Sequence, residues 1–253
     1  MKEIIFALRR VNRFLAEQLL FPILLSSLFA FTLFAGRVFI SRELTYKNLV
    51  WNLLLAWIPY LFSLAAAILH MRFPRGWWLL LLPAFFWMLF FPNAPYIVTD
   101  FLHLHERQGV PIWFDIGMLA TFAWTGVFLA IASLRTMQVL VKEYLGWIVS
   151  WLFAGYALFM GGLGIYLGRF ERWNSWDLFL HPRAILVDIA TRFIHPMSNL
   201  RFFGFTLLFA AFLLICYLTF ISVRWVGESE FSRRRKPPSP PQLAEFEDES
   251  RGV

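Results

Sequence analysis

Six stretches of this chain, near 19–36, 48–69, 76–91, 116–134, 147–168 and 202–223, contain no Asp, Glu, Lys or Arg. Each approaches the length an α-helix needs to cross a hydrocarbon core of roughly 30 Å, about 17–25 residues. Inside lipid the backbone has no water to satisfy its N–H and C=O groups, so spanning segments are helices or closed barrels. Barrel strands alternate apolar and polar residues in segments of about ten, and no such alternation is present. The fold class that remains is all-α: a polytopic transmembrane helix bundle of about six spans with short interfacial helices. Composition agrees. Of 253 residues 59% are hydrophobic and 15% charged, whereas soluble domains carry roughly a quarter.

Residues 1–18 form a basic, amphipathic lead with Lys2, Arg9, Arg10 and Arg13. No small-residue cleavage site follows, so it is expected to be a retained cytoplasmic segment. Residues 19–223 make the transmembrane domain. Residues 224–253 turn Pro-rich and then acidic (Pro237 to Glu249), and a disordered cytoplasmic tail is expected there. The larger share of the 23 Lys and Arg falls on the side that holds both ends, including Arg233-Arg234-Arg235-Lys236. This bias predicts a multi-pass protein of the bacterial inner (plasma) membrane with both termini cytoplasmic. The net charge of +7 lies in loops and tails, so the partner it implies is the lipid bilayer, not nucleic acid, for which no motif is present. The one cysteine, Cys216, sits in an apolar run and excludes an internal disulfide. No cofactor is expected, and a homo-oligomer is compatible with the sequence without being required by it.

The third run is short, carries Pro83, and is expected to kink or end at Pro92-Asn93-Ala94-Pro95. Asn93 suits a helix N-cap and Pro95 a first turn, where its missing N–H costs nothing. A helix starting there places Tyr96, Asp100, His103 and Arg107 on one face and Ile97, Phe101 and Leu104 on the other. An Asp-x-x-His step resembles the Glu-x-x-His step of metal-carboxylate helices. His105, however, points about 140° away from Asp100 on a helical wheel, and there is no His-x-x-x-His or cysteine pair. A hydrogen-bonded Asp–His or Asp–Arg pair is favoured over a metal, and no metal ligand is assigned.

The fifth connection, 169–201, holds five arginines on the side that should be poor in them. Arg169 and Arg172 suit an anionic headgroup or phosphate, whose oxygens match a guanidinium fork. Snorkelling beside Trp173 and Trp176 is the structural alternative. Asn174 and Asp177 have capping-box spacing, residues 183–194 read as an amphipathic helix with Asp188 and Arg192 one turn apart, and Gly164-x-x-x-Gly168 suits close helix packing. In a six-span chain the third and fifth connections share one membrane face. Asn93, Tyr96, Asp100, His103 and Asp115 from one, and Arg169, Arg172, Asn174 and Asp177 from the other, are therefore free to converge. Asp100 and His103 are the acid–base candidates and the remaining seven the binding candidates.

Phe91-Pro-Asn-Ala-Pro-Tyr-Ile-x-Thr-Asp-x-x-His-Leu104, with Trp113-Phe114-Asp115 and Gly168-Arg-Phe-x-Arg-Trp-Asn-Ser-Trp-Asp177, resembles an uncharacterised family of bacterial multi-spanning membrane proteins, a domain-of-unknown-function family. The resemblance covers roughly 48–223 and implies no activity, cofactor or catalytic residue. Two readings stand. One is a structural or assembly component whose polar cluster at the outer face locks loops to helix ends. The other is a membrane-embedded enzyme or binding site for an anionic lipid or lipid-linked substrate. A transporter comes third, because the span centres lack charge.

Overall fold

The computed structural model describes residues 2–105 and 109–235, and every regular element among the described residues is helical. In chain order these are α1 (Lys2–Glu17), α2 (Leu20–Ser41), α3 (Lys47–Arg72), a 3₁₀ turn at Trp77–Leu80, α4 (Leu81–Phe90) and α5 (Asn93–Tyr96). A 3₁₀ helix at Ile97–His103 follows, then α6 (Ile112–Phe170), α7 (Asp177–Leu180), α8 (Pro182–Ile194), a 3₁₀ turn at Pro196–Asn199 and α9 (Leu200–Arg235). Leu214 closes the first of two compact units, and the rest of α9 belongs to the second. Arg107 and the Pro237–Glu249 tail lie outside the described residues.

Five segments among the described residues are long and apolar enough to cross a membrane. The largest, α6, has 59 residues. A straight helix of that length would run about 88 Å, close to three times the hydrocarbon core. It is broken at Gly146, where φ is 85° and ψ 176°, a conformation that only a residue without Cβ adopts freely. In the first half, Gly126 packs against the carbonyl of Ala94. In the second half, Gly164 packs against the ring of Pro92. Positions on both sides of the break thus touch one short segment, so the chain reverses at Gly146. α6 is therefore two helical segments, which correspond to the charge-free runs at 116–134 and 147–168.

The third span corrects an expectation. The α-helix does break at Pro92-Asn93-Ala94-Pro95, α4 ending at Phe90, but the segment long and apolar enough to cross runs on from Trp77 to His103, 27 residues. Continuity survives two prolines because Ala94 N–H donates to Phe91 O at 3.2 Å and Tyr96 N–H to Pro92 O at 3.1 Å. These i−3 and i−4 bonds carry the chain through the break into α5, and the 3₁₀ helix follows from Ile97. Pro83, in the first turn of α4, removes no helical bond there. The polar residues from Asn93 to His103 consequently belong to a span and not to a free loop. Asn93 is the first residue of α5 and makes no cap bond. α9 likewise continues past the expected end near residue 223, to Arg235.

The distribution of side chains is inverted relative to a water-soluble bundle. Leu25, Leu28, Leu82, Ile148 and Leu152 face outward, while Ser27, Arg37, Asp115, Thr125 and Ser133 are buried. An apolar outer surface of this extent is what lipid requires and water penalises. Inside, hydroxyls join helices as expected: Ser26 to Thr125, and Trp57 Nε1–H to Ser27 Oγ at 3.2 Å. Thr121 instead donates within its own helix, to Gly117 O.

Gly146→Ala should lower the stability of the detergent-purified protein by about 1–3 kcal/mol, because Cβ is strained at that φ in otherwise open space. Gly155→Ala, with nothing near its Cβ, should be neutral or stabilising by up to about 1 kcal/mol. Thermal melts of the two variants check the hinge.

Candidate functional site

Three residues per turn place Asp100 and His103 along one edge of the 3₁₀ helix and Tyr96 and Thr99 along the neighbouring edge. Arg169, in the last turn of α6, lies across both edges. Its Nη2 donates to Asp100 Oδ1 at 2.8 Å, and Nε and Nη2 both donate to Thr99 Oγ1. Nη1 meets His103 Nε2 at 3.0 Å, and the guanidinium stands 4.6 Å from the centre of the Tyr96 ring. The second oxygen of Asp100 accepts from Asn52 Nδ2 at 2.8 Å, so α3 is tied into the same cluster. Both partners of the ion pair are buried, with side chains 10% and 7% exposed. An arginine only donates, so His103 Nε2 must accept and its proton must sit on Nδ1. Acid–base candidates Asp100 and His103 are therefore both engaged by Arg169.

Asp115 does not join this cluster. Its carboxylate takes a forked contact from Arg37, at 2.7 Å from Nε and 3.3 Å from Nη2, with both side chains 1–2% exposed. Arg37 also stands 4.7 Å from the Tyr46 ring centre. The pair ties the end of α2 to the start of α6. Asn174 and Asp177 satisfy each other: Asp177 Oδ2 accepts from the Asn174 backbone N–H at 2.7 Å and from its Nδ2 at 3.2 Å. Arg172 is exposed at φ 60°, with no ion pair among the described residues. The expected Asp188–Arg192 pair forms at 2.9 Å, and Glu171 adds a second carboxylate at 2.8 Å. Burial works against the charge of Arg192, but these two carboxylates outweigh it and hold its pKa above the ordinary arginine value.

Between α3, the third span, the second half of α6 and α8 lies a cavity of about 330 Å³. Of the nine candidates it takes in Asn93, Tyr96 and Asn174, together with Asn52, Ser175 and Trp173. Its remaining wall is largely aliphatic and aromatic, and no charged side chain lines it. Asn93 Nδ2 donates to Ser175 Oγ at 3.0 Å, and Ser175 Oγ donates to Leu89 O at 3.0 Å. This chain of bonds joins the third span to the fifth connection. A second, polar cavity of about 320 Å³ is lined by Asp100, His103, His105, Thr45 and Asn48 among others. No group of three His, Cys, Asp or Glu among the described residues is placed to hold a metal ion.

Arg37 and Asn52 were not anticipated. Arg37 is the one charged residue within α2, and Asn52 an amide inside a charge-free run. An isolated polar group at membrane depth demands a partner, and that signal was present. Which partner it takes depends on packing and was not legible.

Removing either member of the Arg37–Asp115 pair leaves a buried unpaired charge, costing about 3–5 kcal/mol. Arg37→Ala and Asp115→Ala should both sharply lower the melting temperature in detergent. Arg172→Ala should stay within about 0.5 kcal/mol of the parent.

Comparison with curated proteins finds no match, and neither does comparison with solved structures. A family model described as "Protein of unknown function (DUF1361)" matches residues 51–216, close to the 48–223 covered by the motifs above. That match takes in most of α3, the third span with its Arg169 cluster and the whole of α6, and on it the chain, whose helices are long and apolar enough to cross a membrane, belongs to the DUF1361 family of unknown function.

Proposed function

We propose that this protein is a non-catalytic component of the bacterial inner membrane, with both termini cytoplasmic and its polar cluster at the outer face. In this reading the cluster is a clasp that fixes the third span to the fifth and to α3, and so keeps a ligand-sized cavity open between them. The observation that carries it is the engagement of Arg169, four of whose five N–H donors go to Thr99, Asp100 and His103. A catalytic acid–base pair needs a free valence within hydrogen-bond reach of a substrate. Asp100 spends one oxygen on Arg169 and the other on Asn52.

One observation favours a second reading, an enzyme acting on an anionic lipid-linked substrate. Asp100 and His103 both line the polar cavity, and Arg172 stands exposed nearby in sequence with no ion pair among the described residues. His103 separates the two. Its side chain is exposed and contributes one contact to the clasp. His103→Ala should leave membrane abundance unchanged and preserve any phenotype that deletion of the gene removes. Full abundance with loss of that phenotype would overturn the non-catalytic reading in favour of catalysis.

A further inference from the structure

We propose that the 330 Å³ cavity takes the headgroup of an uncharged, hydroxyl-rich lipid, such as a glycosyl lipid. The inference rests on the clasp reading only in that the clasp positions Asn52. Three amides line the cavity, Asn52, Asn93 and Asn174, and the partner of each dictates which way round it sits. Asn52 and Asn174 face the carboxylates of Asp100 and Asp177, which only accept, so the NH₂ groups must point there. Asn93 faces Ser175 Oγ, whose single proton goes to Leu89 O. The serine oxygen can then only accept, and Asn93 must also present its NH₂. All three amides thus spend donors on the protein. Their Oδ1 atoms make no hydrogen bond to the described residues, and neither does the Tyr96 hydroxyl.

The site therefore offers three carbonyl acceptors and one phenol beside the rings of Tyr96 and Trp173, and each amide keeps one further N–H. The acceptors favour a ligand that brings its own donors, and a phosphate or carboxylate would be buried with no cation on the wall to pair with it. An ammonium group would bring donors too. With no charged side chain on the wall, however, it would lose its hydration without gaining a counter-charge, and that burial is costly. Neutral hydroxyls meet both conditions, and the flat apolar faces of a sugar ring suit aromatic walls. The volume lies at the small end of ligand sites, about 300–1,000 Å³, which fits a headgroup and the first methylenes of its tail. Leu55, Met88, Leu163 and Ile189 supply an apolar wall for that tail.

The test is native mass spectrometry of the full chain from phosphatidylcholine nanodiscs. These hold equal amounts of three chain-matched probes: monoglucosyl diacylglycerol, phosphatidylglycerol and a dialkyl dimethylammonium. Selective retention of the glucosyl lipid by about tenfold, the worth of one buried hydrogen bond, is expected. Tyr96→Phe deletes a hydroxyl with no protein partner and keeps the ring beside Arg169. It should reduce retention about fivefold or more with an unchanged melting temperature. Ile189→Trp, which fills the cavity, should abolish retention. Preferential retention of either charged probe, retention of none, or retention indifferent to both variants would overturn the inference. Because the readout is binding in vitro, such a result leaves the clasp reading, tested through His103, standing or falling by itself.

Discussion

One guanidinium organises this end of the bundle. A charge held among lipid-embedded helices is tolerable only when paired and hydrogen-bonded, since hydrocarbon offers no water to complete its shell. Arg169 meets that demand within one short stretch, residues 96–103, taking a carboxylate, a hydroxyl, an imidazole nitrogen and an aromatic face. The partners lie at 96, 99, 100 and 103, on two adjoining edges of the segment made by α5 and the 3₁₀ helix.

Arg37–Asp115 applies the same logic to α2 and the start of α6, deeper in protein and with a forked geometry. The opposite end of the bundle is tied differently: His70 meets Tyr144 Oη at 2.7 Å and Glu143 at 3.0 Å, and Tyr144 donates to Pro74 O at 2.8 Å. Between these collars the spans are held by close approach more than by charge, at Gly126, Gly161, Gly162 and Gly164. In lipid, small residues and hydrogen bonds carry the helix association that burial from water drives in soluble bundles. A rigid frame of this kind can keep a cavity among its helices without collapse.

Much of the fold was legible because hydrocarbon imposes so blunt a test: a run without charge of the right length is a span. The hairpin at residue 146 followed from the same arithmetic, since the runs at 116–134 and 147–168 could not share one straight rod. The extension of the third span was not legible. Prolines usually end helices, and nothing local says that i−3 bonds will carry the chain onward. For the site, topology correctly permitted Asp100, His103 and Arg169 to meet. Topology could not say that Asp115 would choose Arg37, that Asn174 and Asp177 would satisfy each other, or that Arg172 would be left exposed. Those choices turn on rotamers and on shifts of a few ångströms, which residue spacing does not encode. The uncharged cavity was invisible for a related reason: its lining comes from four separate parts of the chain.

The central claim is that Asp100 and Arg169 act as one unit. A double-mutant cycle on the melting free energy of the purified protein tests it, using Asp100→Ala, Arg169→Ala and the two together. If the pair is the clasp, the double variant will be no less stable than the worse single one. The coupling should then amount to about 2 kcal/mol or more, because removing both charges relieves the unpaired one. Additive losses, with coupling below about 0.5 kcal/mol, would mean that the two residues stabilise the protein independently, and the clasp would be contradicted.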